Sequence, residues 1–471
     1  MPVAVKDAAG PALAPAAHLL RLVLVGLGIS VVPLDTAVNI AFPDITRSFG
    51  LPIAMIQWVV ICYVLTHAGL MLAFGRVGDI WSHGRVFRAG LLWSTLAFVL
   101  CAAAPSFGWL LFFRFLQGVG AGLVISCAPA LVTSLYPDAR RSHALGIFTL
   151  MFALGSALGP LIGGTLVARW GWPAVFWFRA PIALAALVLL RGLPAEHRDR
   201  GGERFDIVGA LLLAAGLAGL LFAVNALPRL GAGDYRAAAL LIAAAASLGL
   251  FVWWEGRSAR PIVRIELFRR RGFAVINLAN ATVYLTSFSV LLFVPYFFAR
   301  FTVLPLPLAG AVLATGFVAM AAASPAAGWL SARLPADRVA PLGALLTGAG
   351  LFLIGGWRAD TAPAAMILAL ALQGLGLAFF QVAYMEMVMA ASPLAHRGVA
   401  GGLSMLTRTI GIVSGAAVLT LGFQAVEGAA LQHGAAAGEA FLAAFGTIFR
   451  LAGILTALAG AAVAWRRPRR D

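Results

Sequence analysis

Fourteen long apolar segments make up most of this chain, and each is long enough to cross a lipid bilayer. A transmembrane helix needs about 20 predominantly apolar residues. The segment lengths, and the short polar stretches between them, predict an all-α integral membrane protein with fourteen transmembrane helices. The segments lie near 19–42, 53–74, 86–104, 108–135, 142–168, 173–192, 207–226, 235–255, 273–298, 308–332, 339–357, 363–391, 398–423 and 444–465.

The composition agrees with a bilayer as the solvent of this chain. Of its 471 residues, 62% are hydrophobic and 11% are charged, and the mean hydropathy is +0.95. Soluble domains of this length do not have such a composition. The first apolar stretch contains Asp35 and Asn39, which favours a retained first helix over a cleaved signal peptide. The cysteines fall in predicted membrane segments and indicate neither a disulfide framework nor a metal site; they are Cys62, Cys101 and Cys127.

The net charge is +16, and the Lys and Arg residues are divided unequally between the two predicted sides of the membrane. With the amino terminus in the cytoplasm, 24 of the 34 Lys and Arg residues fall on cytoplasmic ends and loops and seven on the outer side, while Arg114, Arg408 and Arg450 lie inside helices. This is the positive-inside pattern, so we expect both termini in the cytoplasm. The Ala- and Arg-rich composition fits a bacterial gene and hence the bacterial inner membrane. Nucleic-acid binding is not expected, because the sequence has no basic soluble segment interleaved with aromatic residues.

An internal repeat divides the chain into two related halves. Residues 116–120 match residues 372–376 at an offset of 256, and Gly155 pairs with Gly411 in the same register. Segments 4 and 5 therefore correspond to segments 12 and 13, which leaves two extra helices between two sets of six. Transporter folds use such duplications to build two halves around a midplane site. The predicted units are an N-terminal six-helix bundle over 1–192, two inserted helices with flanking cytoplasmic loops over 193–272, and a C-terminal six-helix bundle over 273–471.

A glycine- and proline-rich run interrupts the fifth segment. Gly155, Gly159 and Gly163 recur every four residues and form one bare ridge for a partner helix, and Pro160 and Gly164 lie beside it. In a soluble helix each Gly would cost about 1 kcal/mol and Pro about 3. The run resembles the fifth-helix signature of antiporters of the major facilitator superfamily, where it is thought to limit leakage. The alternative is generic packing of small residues.

Asp35 and Asn39 are four residues apart on one face of the first segment. The surrounding run from Leu34 to Pro43 resembles the first-helix motif of the fourteen-helix drug:proton antiporters. A carboxylate in the membrane costs about 2.5–3.5 kcal/mol, and burial favours its neutral form. We therefore expect Asp35 to exchange a proton near neutral pH and Asn39 to line the cavity. A helix-packing hydrogen bond is the alternative.

Arg114 and Gln117 lie in a run that is similar to the fourth-helix Arg-x-x-Gln-Gly motif of the superfamily. The resemblance implies that Arg114 assists proton transfer and that Gln117 lines the substrate cavity. Because arginine does not lose its proton in a protein, its role would be to hold or release a carboxylate. A purely structural ion pair is the alternative.

Two further ionisable residues lie in predicted helices. Glu386, in segment 12, is a candidate for binding a cationic substrate or a second proton; alternatively it is solvated, or it pairs with Arg397 or Arg408. His67, in segment 2, titrates in the range of a proton carrier, although a hydrogen-bonded packing role is the more common one.

The stretch from Gly75 to Arg85, between segments 2 and 3, is similar to the gating motif of the superfamily. Gly75 and Asp79 match that motif, whereas Ile80 replaces a basic residue and Ser82 replaces the second glycine. We expect a latch between the halves that is weakened or sensitive to pH.

Aromatic side chains at helical spacing are candidates for an apolar substrate cavity, with ordinary bundle packing as the alternative for each one. They are Tyr284, Phe288, Phe379 and Tyr384.

These resemblances imply a major facilitator transporter of the fourteen-helix drug:proton antiporter family. Its predicted function is export of small amphiphilic compounds in exchange for protons by alternating access. Rival functions are export of one endogenous metabolite, or symport or uniport on the same fold. We expect no enzyme activity, no cofactor and no metal site, since the proton gradient drives transport. We expect a functional monomer in the lipid bilayer, with a periplasmic adaptor protein as an open alternative.

Overall fold

The fold is described from a computed structural model, which describes residues 25–134, 141–190, 206, some positions between 208 and 223, 235–258, 271–390 and 397–465. This part of the chain is helical apart from short connections and contains no strand. The labelled helices are α1 Val25–Ile40, α2 Phe42–Ser48, α3 Gln57–Trp81, α4 His83–Ala102, α5 Phe107–Ser134, α6 Arg141–Trp170, α7 Ala174–Leu189, α8 Arg236–Glu255, α9 Arg271–Phe301, α10 Leu306–Ser331, α11 Ala336–Ile354, α12 Pro363–Ala390, α13 Arg397–Gln432 and α14 Ala437–Trp465.

The helices account for the predicted transmembrane segments. Eleven described helices are long and apolar enough to span a membrane, and α1 with α2 makes a twelfth if the bent pair counts as one span. Helix α7 is shorter, and helical positions between 208 and 223 fall in the first inserted segment. All fourteen predicted segments are thus helical where the structure describes them, which confirms an all-α membrane protein of two six-helix bundles and two inserted helices. Several predicted bounds are wrong, among them the ends of α3 and α13, which continue to Trp81 and Gln432, and the start of α14 at Ala437.

The first span is bent by 61° between α1 and α2. Its middle narrows to a 3₁₀ turn over Pro33–Thr36, and Pro43 lies in the first turn of α2. Proline lacks a backbone N–H and fixes its own φ, so it favours the start of a new helix over continuation of the old one. The sequence predicted a first helix near 19–42, and the bend and its continuation to Ser48 were not predicted.

The predicted repeat is reproduced in the packing. Helix α5 packs between α3 and α4, as α12 packs between α10 and α11. A β-carbon added at Gly155 or Gly159 of α6 would meet α1, and one added at Gly411 or Gly415 of α13 would meet α9. Glycines matched by the 256-residue offset thus allow the same close approach of the corresponding helices in each half.

Among the described residues, the buried cluster that takes side chains from both halves lies at one end of the molecule. We call this the outer end, after the topology that the positive-inside pattern predicts; it carries the connections after α2, α4 and α6. There Ile40, Phe42 and Ile56 belong to one buried cluster with Phe288 and Phe297 of α9. The other two buried clusters lie within α1–α7 and within α8–α14, respectively. The molecule is therefore sealed at the outer end, and its halves have separate cores toward the inner end.

Helix α2 packs against α9 of the other half at this sealed end. The Tyr296 hydroxyl of α9 lies 3.4 Å from both the Phe42 carbonyl oxygen and the Thr46 hydroxyl. Nearby, α6 and α10 meet backbone to backbone, and a β-carbon at Gly310 would collide with the carbonyl oxygen of Pro160. The close contact of α6 with α10 in this seal thus requires a residue without a side chain at position 310.

Substitution of Gly310 by leucine is expected to open the outer end. In a variant without native cysteines, Thr46→Cys should resist a membrane-impermeant maleimide, because Thr46 is 7% exposed. Adding Gly310→Leu should make it reactive, whereas Gly249→Leu should not, since a β-carbon at Gly249 meets nothing within 4 Å.

Arg47→Cys, at a side chain that is 73% exposed, is the positive control. If Thr46→Cys reacts with the maleimide as fast as Arg47→Cys does in protein that retains Gly310, the outer end is not sealed.

Candidate functional site

The carboxylate of Asp35 is the centre of a buried ionic cluster between three helices. Its Oδ1 accepts hydrogen bonds from Arg114 Nη1 and Arg179 Nη1, both at 2.7 Å, and from Gln117 Nε2 at 2.9 Å. Its Oδ2 accepts one from Arg114 Nη2 at 2.9 Å. Asp35 comes from α1, Arg114 and Gln117 from α5, and Arg179 from α7. The predicted residues Asp35, Arg114 and Gln117 therefore meet at one point.

The glycine ridge of α6 places Asp35. A β-carbon at Gly159 would collide with the Thr36 hydroxyl, and one at Gly155 would come within 2.7 Å of Pro33. The Thr36 hydroxyl donates to the Ser156 carbonyl oxygen at 2.9 Å. The ridge thus presses against the 3₁₀ turn that carries Asp35.

Hydrogen bonds and a ring contact hold the side chain of Arg114 in one position. Its Nε donates to the Val59 carbonyl oxygen and its Nη1 to Gln117 Oε1, both at 2.8 Å. The guanidinium carbon lies 4.4 Å from the centre of the Tyr63 ring, and the side chain is 1% exposed. Counted from the start of α5, Arg114 lies about 10 Å below the outer end.

Arg179 is the residue that sequence analysis missed. Assigning charges to membrane sides counted it with the outer seven, but its side chain is 0% exposed. Its Nε donates to the Val175 carbonyl oxygen at 3.2 Å, and its guanidinium lies 4.4 Å from the centre of the Phe98 ring. In the described part of the chain, Arg179 Nη2 has no acceptor. The available signal was an arginine six residues inside the predicted apolar segment 173–192.

The cluster holds two positive charges and one negative charge. Two guanidinium groups at hydrogen-bond distance stabilise the ionised carboxylate, which offsets the cost of removing it from water. The sequence predicted that burial favours the neutral form of Asp35 and that Arg114 holds or releases a carboxylate; in this conformation two arginines hold the ionised form. In this conformation a proton can bind only if the two arginines lose their anion.

His67 lies on α3 beside Tyr63, whose ring is in contact with Arg114 of the cluster. Its Nδ1 lies 3.1 Å from the Tyr63 carbonyl oxygen, and its ring centre lies 5.0 Å from that of Tyr63. Since a carbonyl oxygen only accepts, Nδ1 carries the proton in this contact. Helix α3 packs against α13 of the other half.

Comparison with known proteins identifies the fold. The family described as Major Facilitator Superfamily matches residues 23–277 and 276–471. The multidrug resistance protein Stp of Mycobacterium tuberculosis is 32% identical over 85% of this chain and 75% of that protein. The chain belongs to the Major Facilitator Superfamily. It is therefore a multi-pass membrane transporter rather than an enzyme.

Other relatives differ in the compounds they are named for. The tetracenomycin C resistance and export protein of Streptomyces glaucescens is 30% identical over 84% of this chain and 74% of that protein. The riboflavin transporter RibZ of Clostridioides difficile is 28% identical over 84% and 86%. A crystal structure of a bacterial homologue of the human lysosomal transporter Spinster has a TM-score of 0.69 at 18% identity, covering 96% of both chains. That likeness supports the major facilitator fold.

The remaining cavity candidates lie apart from the Asp35 cluster. Asn39 is buried in α1, one turn beyond Asp35, and Phe288 belongs to the outer hydrophobic cluster. The Tyr384 hydroxyl donates to Asn277 Oδ1 at 3.0 Å, and Phe379 packs beside the buried cluster of the second half. Tyr284 lies under Arg408, with the guanidinium carbon 4.9 Å from its ring centre.

Glu386 is exposed and lies one turn before the inner end of α12. Five helical turns separate it from Leu368, which is 64% exposed, so the two share a face. Tyr384, which contacts α9 and α13, lies on the opposite face. Glu386 is thus outside the cluster of Asp35, and its predicted role stays a prediction.

The predicted gating stretch is helix rather than loop. Helix α3 continues to Trp81 and α4 begins at His83, so Gly75 is within α3 and Arg85 is exposed on the first turn of α4. The side chain of Asp79 lies outside the described residues. Ser82, alone between the helices, has a φ of 95°, which is the left-handed region that favours glycine. The glycine of the superfamily motif would fit this position without strain.

Removing the charge of Asp35 is expected to destabilise the protein. Asp35→Asn leaves two buried guanidinium groups without an anion, and breaking a buried pair costs about 3–5 kcal/mol. The melting temperature in detergent should fall, and adding Arg179→Gln should restore part of the loss.

Asp44→Asn is the matched control, because its partner Arg47 is exposed and a surface pair contributes about 0–1 kcal/mol. An unchanged melting temperature in Asp35→Asn, or strictly additive losses in the double variant, would contradict the coupled cluster.

Proposed function

We propose that this protein is a proton-coupled exporter of the fourteen-helix drug:proton antiporter branch, and that it moves small amphiphilic compounds out of the bacterial cell across the inner membrane. The observation that carries the proposal is Asp35, held between Arg114 and Arg179 and placed by the glycine ridge of α6. The names of Stp, a multidrug resistance protein, and of the tetracenomycin C resistance and export protein support drug efflux.

The first step of the cycle is proton entry from the outside. When the outer end opens, a proton reaches Asp35, and its negative charge is lost. Arg114 and Arg179 then face each other without an anion in a medium of low dielectric constant, which is unfavourable. The cluster must rearrange, and α1 moves relative to α5 and α7.

The second step transmits this movement to the other half. Gly155, Gly159 and Gly163 of α6 contact α1, while the backbone of Pro160 and Gly164 contacts α10. One helix therefore touches both the coupling residue and the second half. Movement of α1 along the ridge is transmitted to the interface between α6 and α10, and the halves rock. Return to the sealed outer end brings both arginines back to Asp35 and expels the proton to the inside.

The proposed topology has both termini in the cytoplasm and the Asp35 cluster close to the outside. The working unit is a monomer that needs no cofactor and no metal ion, and a periplasmic adaptor protein is an open addition. A second candidate function is transport of a single metabolite, which the likeness to the riboflavin transporter RibZ favours.

Proton movement in proteoliposomes tests this proposal. With an internal pH dye and an outward substrate gradient, cationic, neutral and acidic aromatic compounds should be screened for substrate-dependent proton flux. We expect at least one compound to drive proton counterflow, and Asp35→Asn to reduce this flux at least tenfold.

Asp44→Asn should retain the flux. Substrate movement without protons would overturn the antiport mechanism, and a response to a single compound would favour the metabolite transporter.

A further inference from the structure

Two neighbouring cavities lie beside the contact between α2 and α9 at the outer end. The larger, of about 340 Å³, is lined by α2 and the connection after it in the first half, and by Tyr296, Ala299 and Arg300 of α9 in the second half. The smaller, of about 200 Å³, shares Pro43, Arg47 and Ala299 with the larger. A molecule bound in them would therefore touch both halves of the protein next to the seal.

The larger cavity has a positively charged wall. Arg47 and Arg300 line it, and its described lining contains no acidic residue. Asp44 lines the smaller cavity, where its Oδ1 accepts a hydrogen bond from Arg47 Nη1 at 2.8 Å. Asp44 thus compensates the charge of Arg47, although a guanidinium has five N–H groups and keeps others for a ligand.

The positive charge of Arg300 is not compensated in this way. Its guanidinium carbon lies 5.0 Å from the centre of the Phe441 ring, and the residue is exposed. Within the described part of the chain, Arg300 forms no hydrogen bond, and no carboxylate oxygen lies within 4.0 Å of it. Glu427 of α13 and Glu439 of α14, at the same end, are therefore not its ion-pair partners.

The smaller cavity adds an apolar wall beside the two arginines. Ile40, Phe298, Leu306 and Ala309 line it, from both halves of the protein. The volume of the larger cavity is within the range of about 300–1,000 Å³ that is usual for small-molecule sites. Charged donors next to an apolar surface suit a ligand with an anionic head and an apolar body.

We propose that these two outer cavities bind an amphiphilic anion, with its phosphate or carboxylate head between Arg47 and Arg300 and its apolar body against Ile40 and Phe298. Arginine is well suited to such heads, because its planar fork of donors matches carboxylate and phosphate oxygens. The bound molecule joins the halves and stabilises the sealed outer end. This inference concerns the outer surface and does not depend on the proposed proton coupling at Asp35.

Protection of a cysteine in the cavities tests the inference. Full-length Ala299→Cys protein without native cysteines, in phosphatidylcholine nanodiscs, is labelled with an uncharged maleimide; Ala299 is exposed and lines both cavities. Dodecyl phosphate should slow this labelling at least fivefold, whereas dodecyltrimethylammonium at the same concentration should not. Ala437→Cys is the matched control, because Ala437 is exposed at the outer end of α14 and lines neither cavity, and its rate should not change.

A change of lipid distinguishes the two possible sources of the anion. If nanodiscs that contain phosphatidylglycerol also protect Ala299→Cys, the bilayer supplies the ligand. If only added dodecyl phosphate protects it, the ligand is a soluble amphiphile from the outside. Both results support the site.

Variants of Arg300 separate binding from an unspecific effect of the amphiphile. Arg300→Met should abolish the protection by dodecyl phosphate, and Arg300→Glu should transfer it to dodecyltrimethylammonium. A gain of protection by the cation cannot result from misfolding. Arg358→Met is the control, because Arg358 is exposed at the same end and lines neither cavity. Arg300→Lys keeps the charge and should keep part of the protection.

A reporter outside the cavities tests the effect on the seal. Ile56 belongs to the outer buried cluster and is 0% exposed. Combined with Gly310→Leu, Ile56→Cys should react with the maleimide, and dodecyl phosphate should slow this reaction at least threefold. An unchanged rate would contradict stabilisation of the seal.

Three results would overturn the binding site itself. The first is labelling of Ala299→Cys that dodecyl phosphate does not slow. The second is equal protection by the cationic amphiphile, and the third is full protection by dodecyl phosphate in Arg300→Glu. These measurements use neither a substrate gradient nor proton flux, so their failure would leave the export function standing, and failure of proton coupling would leave this site standing.

Discussion

The structure depends on one electrostatic constraint, which is that a carboxylate inside a membrane must be compensated. Asp35 meets this constraint with Arg114 and Arg179, which approach it from different helices and are themselves almost fully buried. Two arginines carry one positive charge more than is needed to neutralise one carboxylate. The excess positive charge makes the cluster depend on the ionisation of Asp35, so one proton changes the electrostatic energy of three helices at once.

The glycine ridge of α6 converts this local chemistry into a movement of the halves. One face of the helix contacts the turn that carries Asp35, and another contacts α10 of the second half. Small residues let both contacts be made by backbone, so no long side chain can absorb the displacement. The same glycines recur in α13 against α9, which gives the second half an equivalent hinge without an equivalent carboxylate.

Much of this arrangement could be predicted from the sequence. Hydrophobic segments gave the helices, the 256-residue offset gave the two halves, and Asp35, Arg114 and Gln117 stood out as polar residues in apolar surroundings. Arg179 did not, because it lies within about two turns of a predicted loop. Helix boundaries, which sequence patterns locate poorly, decide whether such a charge meets water or a carboxylate. The helical gating stretch and the orientation of Glu386 depend on tertiary packing, which periodicity alone does not determine.

The most direct test of the account is the protonation state of Asp35 in the two conformations. Infrared difference spectroscopy reads the carboxyl C=O band, and subtraction of Asp35→Asn assigns it. With the outer end sealed, Asp35 should be ionised at neutral pH; with the outer end held open by Gly310→Leu, it should be protonated at the same pH. An Asp35 band that is the same in both conformations would contradict coupling through this cluster.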